Sequence, residues 1–370
     1  DGKKSNFNIY PSLFDLLSSR TLNYFSEMGN SFDEIKPYLN FDYSKGLMPL
    51  NEFLSQENSL TDSPNREEIV FDLFQKLIAI NKTNLNNTAV VDLEIRRLDY
   101  YRYKATAVAD ADERYLQALF ALKSEYTDSP LSSLIAFKIA VVYEAYGSRY
   151  ETEKGEKYRW HLSKAVDVCN ESLKKFPKAE YSNACKGIVD RIMKKQSSFE
   201  LHNVELPNKP ILASMKYRNI KKLFFRIIKL DIDNYLSQSQ TNRHDGINPE
   251  YLDYVPTESW RLDLPDSKDY QRHSTEFKVP ALENGFYLIA SSLDSNFADT
   301  EKLSYQFFAV SELSYVIKRS ESNSSYTMFV MNRNSGKVVS GVDLKLYNRE
   351  YNREQQIYEL NEQASFTSNK

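Results

Sequence analysis

The stretch "HLSKAVDVCNESLKKFPKAEYSNACKGIVDRIMKKQSSFELHNVELPNKP", residues 161–210, changes its period partway along, and that change decides the fold. In its first part Leu162, Ala165, Val166, Cys169 and Leu173 recur at helical spacing. After a turn at Phe176-Pro177, Tyr181, Ala184, Cys185, Ile188 and Ile192 stripe a second helix. Further on, Ile211, Ala213, Met215 and Tyr217 alternate with their neighbours, and Leu223, Phe225 and Ile227 do the same, as strands require. A domain boundary is therefore predicted within 194–210, with helices over 1–195 and β-structure after it.

Toward the N-terminus the helical reading continues. The tetrapeptide TDSP occurs at 61–64 and 127–130, each time offering a polar cap with proline at the first helical position. Val70, Phe71, Phe74, Leu77 and Ile78 follow the first at helical spacing, and Leu131, Leu134, Ile135, Ile139, Val142 and Tyr146 follow the second. Partner faces are available in 91–109 and in the stripe Tyr115, Leu119, Leu122 and Tyr126. Residues 11–27 predict one more amphipathic helix, with Pro11 in its first turn and Leu13, Phe14, Leu17, Tyr24 and Phe25 as its apolar face. The "KFP" turn and the small residues of 161–192 resemble a tetratricopeptide-type hairpin, a unit that buries its face by stacking on neighbours.

Toward the C-terminus, "EFKVP", "FYLIASS" and "LSYQFFAV" bring 196–311 to about six strands, enough for a small antiparallel β-sandwich. Residues 231–270 interrupt it with a polar, proline-containing insertion that holds Trp260. Then "ELSYVIKRS", "SYTMFVMNR" and "SGVDLKLYN" begin another alternating series, with Asn334, Ser335 and Gly336 as the turn between the last two. The 59 residues of 312–370 fall short of the roughly 100 such a domain takes, so this second sandwich is read as incomplete.

With 48 basic and 51 acidic residues spread along the chain, no like-charged block suggests a nucleic-acid arm. Only 10 glycines in 370 residues argue against phosphate-cradling loops. The opening DGKKSNFNIYP is neither an apolar signal region nor an acylation motif.

The expected fold is thus multidomain, α then β: a helical-repeat, tetratricopeptide-like domain followed by macroglobulin- or Ig-like antiparallel β-sandwiches. In this order, "PSLFDLLSSRTLNYF", "CNESLKKFPKAEYSNACK", "VELPNKPILASMKYRNIKKLFFRIIKL", "DSKDYQRHSTEFKVPALENGFYLIASS", "FFAVSELSYVI" and the hairpin "NRNSGKVVSGVDLKLY" resemble the N-terminal part of large bacterial alpha-2-macroglobulin-like proteins. The resemblance implies a noncatalytic structural portion of a protease-trapping inhibitor in the periplasm or on the cell surface, as a lipoprotein if an anchor precedes this chain. It implies target proteases as protein partners and no cofactor. In that family macroglobulin domains cage the attacker, a bait segment is cut, and many members capture through a Cys-Gly-Glu-Gln thioester. No such tetrapeptide occurs here: Cys169 precedes Asn170 and Cys185 precedes Lys186. The alternative from another class is a surface protein-binding module, with the helical domain as grip and the sandwiches as spacers.

No catalytic, cofactor or metal residues are proposed. His161, His202, His244 and His273 lie far from one another and from either cysteine. His273-Ser274 lacks a visible acid, and Glu67, Glu68, Asp110 and Asp112 fall at helix starts, where the dipole favours carboxylates. Asn81-Lys82-Thr83 and Asn323-Ser324-Ser325 match the glycosylation tripeptide, a match that chance supplies in so Asn- and Ser-rich a chain. Cys169 and Cys185, each eight positions from Pro177, stand at equal height on facing helices. Two readings follow, a structural disulfide or a pair of buried thiols, and the export implied by the resemblance favours the bond.

Overall fold

The computed structural model describes residues 13–27, 41–57, 64–241, 248–299, 303–319, 326–354 and 357–369. Two compact units divide the chain, Asp1–Met193 and Lys194–Lys370, the first helical and the second built of strands.

The first unit holds α1 (Leu13–Glu27), α2 (Leu50–Ser55), α3 (Arg66–Thr83), α4 (Asn87–Lys104), α5 (Ala111–Glu125), α6 (Ser132–Gly147), α7 (His161–Lys175) and α8 (Ser182–Met193). From α3 onward each helix packs on the next, and α6 touches both α7 and α8. Val70, Phe74 and Ile78 of α3 share a core with Leu98 of α4, Leu119 of α5 and Ile139 of α6. These apolar stripes have lost water on one face, which is the main force holding the stack.

One polar group sits inside that core. Arg97, 0% exposed on α4, places Nε 2.9 Å from Glu94 Oε1 and Nη2 2.7 Å from Glu94 Oε2. Its Nη1 donates to Gly46 O at 2.7 Å and Nη2 to Met48 O at 3.0 Å. The guanidinium also lies 4.1 Å over the Phe53 ring of α2. Arginine suits this place because its planar fork satisfies a carboxylate and two carbonyls at once, so little of the buried charge goes unpaired. Gly46 must be glycine: a Cβ there would come within 2.0 Å of the Tyr101 ring.

The structure corrects the helix starts. Asn65, not the TDSP residue before Pro64, caps α3 by accepting from Glu68 N at 2.9 Å, while Glu68 returns a bond to Asn65 N as a capping box. Pro130 precedes Leu131, the residue before α6, so this proline lies in the turn rather than at the first helical position. Its ring fixes φ there without costing the helix a hydrogen bond. The apolar face of α1 is reassigned in part: Leu13 is 71% exposed, and Phe14, Leu17 and Tyr24 are exposed with it, whereas Phe25 packs against the core as read. The docked side instead carries Ser19, Leu22 and Asn23, with Arg96 bonded to Ser19 and Asn23, and Arg66 bonded to Phe25 O. Pro11 and residues 61–63 lie outside the described residues.

In the second unit, β1 (Gln196–Glu200), β2 (Val204–Glu205), β3 (Ile211–Arg218), β4 (Lys222–Leu230), β5 (Glu258–Asp263), β6 (His273–Val279), β7 (Gly285–Ser292) and β8 (Ser304–Val310) form two sheets, ordered β1-β3-β6 and β2-β8-β7-β4-β5. All pairs are antiparallel except β2 with β8, a departure from the expected all-antiparallel pattern. Met215 and Phe277 of the smaller sheet share a core with Phe225, Ile289 and Phe308 of the larger. Trp260, read above as part of an insertion, lies on β5 and stacks on Phe225 at 5.0 Å and 6°.

The rest of that insertion supplies α9 (Ile232–Thr241) and a 3-10 helix at Pro249–Asp253, whose Tyr235, Tyr251 and Leu252 pack on the opposite face of the larger sheet with Leu288 and Phe307. The larger sheet is therefore covered on both faces, which explains why "FYLIA" is continuously apolar rather than alternating and why burial runs on through Ser291 and Ser292.

After β8 come two ladders, β9 (Leu313–Arg319) with β10 (Tyr326–Asn332), and β11 (Asp343–Asn352) with β12 (Ile357–Thr367). The Asn332–Gly336 turn forms as read: Asn332 Oδ1 accepts from Asn334 N and Ser335 N, and Gly336 has φ +66°. Its second arm pairs back only briefly, at Met331–Val338, before β11 leaves to join β12. Tyr315, Val316, Ile317, Tyr326 and Phe329 are exposed on β9 and β10.

Truncating one member of the buried ion pair strands the other. Glu94→Ala is expected to lower the denaturant stability of the helical unit by about 3–5 kcal/mol, and Glu94→Met with Arg97→Met to recover much of that loss. Equal loss in the single and double variants, read by circular dichroism, would show that the pair is not the reason Arg97 matters.

Alkali should melt the same unit. Burial raises the Tyr100, Tyr101 and Tyr115 phenols well above their ordinary value, and Tyr126 is pushed up to about 12 by the same cause. The folded state holds these protons more tightly than the unfolded chain, so stability is full below about pH 10 and falls as pH rises past it. Tyrosinate absorbance should step up together with loss of helical dichroism; smooth ionisation under an intact helical signal would contradict this.

Candidate functional site

The two cysteines come together. α7 and α8, which pack on each other, carry Cys169 and Cys185 inward, and both residues are 0% exposed. They are free thiols here. Cys185 Sγ lies 3.9 Å from Ser133 O on α6. The nearby Cys185 thiol, together with burial, pushes the proton affinity of Cys169 up.

The histidines remain apart. His161 packs edge-on to Tyr146 at 5.3 Å and against Tyr143 and Tyr158, and burial with nearby Lys164 depresses its basicity. His202 is exposed and pairs with Glu205 at 3.1 Å. His244 and Asn323 lie outside the described residues. Asn81 is buried in α3 and donates to Leu77 O at 2.9 Å, so its amide is not presented to a modifying enzyme. The acidic residues at helix starts have specific partners: Glu67 accepts from Tyr100 Oη at 2.7 Å, Asp112 from Arg102 at 2.7 Å and Asp110 from Arg114 at 2.9 Å.

His273 does have an acid, which sequence reasoning missed. The loop between β5 and β6 buries Asp269 between Lys268 and Tyr270, both in the left-handed region at φ +55° and +57°. Asp269 Oδ1 accepts from Ser267 Oγ at 2.8 Å and Gln271 N at 3.0 Å, and lies 2.9 Å from His273 Nε2. Ser267 Oγ is also 2.8 Å from that same nitrogen. Serine, histidine and aspartate are thus adjacent, but not as a nucleophilic triad. A triad places serine on one ring nitrogen and the acid on the other. Here the single Ser267 proton goes to Asp269, so His273 Nε2 must donate rather than accept, and it cannot serve as a base toward Ser267. The arrangement locks a loop. The signal available in the sequence was Asp269 four positions before His273, without a glycine to mark the two left-handed residues.

Tyr217, whose ring meets that of His273 at 5.7 Å, also lines a cleft of about 740 Å³ with Lys194, Lys195, Lys216 and Arg272. Its four cations suit an anionic group, and none forms an ion pair with another described residue. Among the described residues no cluster of three or more histidine, cysteine or acidic side chains is placed to hold a metal ion.

Removing the carboxylate should loosen the loop. Asp269→Ala is expected to destabilise the strand unit by about 2–3 kcal/mol through loss of charge-assisted hydrogen bonds. Ser267 should stay unlabelled by an active-serine phosphonate probe; labelling that disappears in His273→Ala would overturn the reading of the cluster as a lock.

No family model matches this chain, and no curated protein matches it. Among solved structures, it is similar to the crystal structure of native alpha-2-macroglobulin from Escherichia coli spanning domains MG0-NIE-MG1, with a TM-score of 0.31 and 14% identity over 47% of this chain. The match spans 58% of that chain.

Proposed function

We propose that the chain is the noncatalytic structural portion of a bacterial alpha-2-macroglobulin-like protease trap, exported to the periplasm or cell surface. In this reading α3 to α8 are three tetratricopeptide-like hairpins, and β1 to β8 are a macroglobulin-type, Ig-like sandwich carrying the 231–257 segment as a cover. β9 to β12 belong to the next domain of the series.

The observation that carries the reading is the Asn332–Gly336 turn, which follows a complete two-sheet core and delivers the chain from the β9–β10 ladder to β11. It lies in the last of the ordered stretches that together carry the sequence resemblance. A role without catalysis is favoured by the Ser267–Asp269–His273 geometry, in which histidine donates where a nucleophile would need it to accept. The partners proposed are the target proteases of the complete protein.

The test compares large and small substrates. A caged protease still reaches a short chromogenic peptide but not a protein. The full gene product, mixed with trypsin-like or elastase-like protease, should protect a protein substrate while peptide cleavage continues. The chain alone should alter neither rate. Equal inhibition of both substrates, or of neither, by the full product would refute the trap; protection by the isolated chain would refute its purely structural role.

A further inference from the structure

The buried thiol pair has chemistry that the trap reading does not use. Cys169 and Cys185 come from consecutive helices that pack on each other, lie eight positions either side of Pro177, and are both fully buried. Two ordinary core cysteines need no such matched placement, since each behaves as a small apolar residue wherever it packs. Packed helices that bury two cysteines at equal height on facing sides go far toward the geometric demand of a disulfide, whose Cα atoms stand within about 7 Å of each other.

We propose that Cys169 and Cys185 form a redox dithiol, which closes to an intrachain disulfide by exchange with a low-molecular-weight disulfide and staples α7 to α8. Oxidised glutathione is a sufficient co-reactant. One cysteine thiolate attacks a glutathione sulfur, expelling one glutathione thiolate and forming a mixed disulfide. The thiolate of its partner then attacks the protein sulfur of that mixed disulfide and expels the second glutathione. The chain loses two protons and two electrons, and glutathione disulfide gains the electrons and becomes two thiols. Burial makes the reaction depend on opening of the α7–α8 hairpin, so closure occurs most readily while the chain folds.

The experiment uses the whole chain. It is reduced, unfolded, and refolded in a series of reduced and oxidised glutathione mixtures, so that burial cannot hide the thiols from the oxidant. Each sample is acid-quenched, unfolded again, treated with a maleimide and mapped by mass. Both thiols should vanish together as the mixture becomes more oxidising, with a mass lower by two hydrogens and one peptide joining Cys169 to Cys185. The Tm of the helical unit should rise by on the order of 5–10 °C on oxidation, and this shift should be absent in the Cys169→Ala, Cys185→Ala double variant. Two free thiols, or glutathione adducts on either cysteine, in chain that has regained native dichroism would overturn the proposal. So would a chain that recovers its fold only under reduction, since the bond would then be incompatible with the helix pair.

Discussion

A guanidinium with no water around it sets the terms for the helical unit. Arg97 makes its bonds to Glu94 on its own helix and to the carbonyls of Gly46 and Met48, and lies over Phe53. The segment 46–53 therefore cannot shift without uncovering a charge in a low-dielectric core. The same constraint fixes the position of α4, and α4 carries Tyr100 and Tyr101, whose rings pack on Phe74 and Phe71 of α3. Apolar burial supplies most of the driving force, while this one polar group selects the register in which the helices are buried.

The strand unit reaches specificity by another route. Its larger sheet is packed on both faces, so a slip of one residue would exchange one apolar set for another rather than expose it. Discrimination falls to shape: the parallel stack of Trp260 on Phe225, the near-parallel Phe286 and Phe307 rings at 6.1 Å, and the polar lock of Asp269 in the β5–β6 loop. A buried carboxylate with several donors tolerates few loop conformations. That accounts for two non-glycine residues being held left-handed beside it.

Much of this was legible in the sequence where periodicity maps directly onto burial. The stripes Val70–Ile78 and Leu162–Cys169 are buried as read, because a helix needs only one apolar face to declare itself. α1 was misread for the opposite reason: its docked face is held by hydrogen bonds to Ser19 and Asn23, a pattern that hydropathy does not register. β5 was hidden because "ESWRLD" is short and flanked by Pro and Asp, and its partner strand is set by tertiary pairing. The burial of both cysteines could be anticipated from their places on the two apolar stripes. The Ser267–Asp269–His273 cluster could not, since its geometry depends on loop torsions that no residue type announces.

The β9–β10 ladder has a consequence for handling the protein. Cross-strand partners Ile317 and Met328 crowd one face and Val316 and Phe329 the other; among the described residues the outer edge of β9 has no partner strand, and that of β10 is bridged only near Met331–Val338. A ribbon of this composition is a template for intermolecular strand addition. Lys318 and Arg319 at one end act as gatekeepers against it. Colloidal behaviour should accordingly be governed by these few residues rather than by the chain's nearly balanced charge: salt that screens the two cations would promote association while leaving both folded cores untouched.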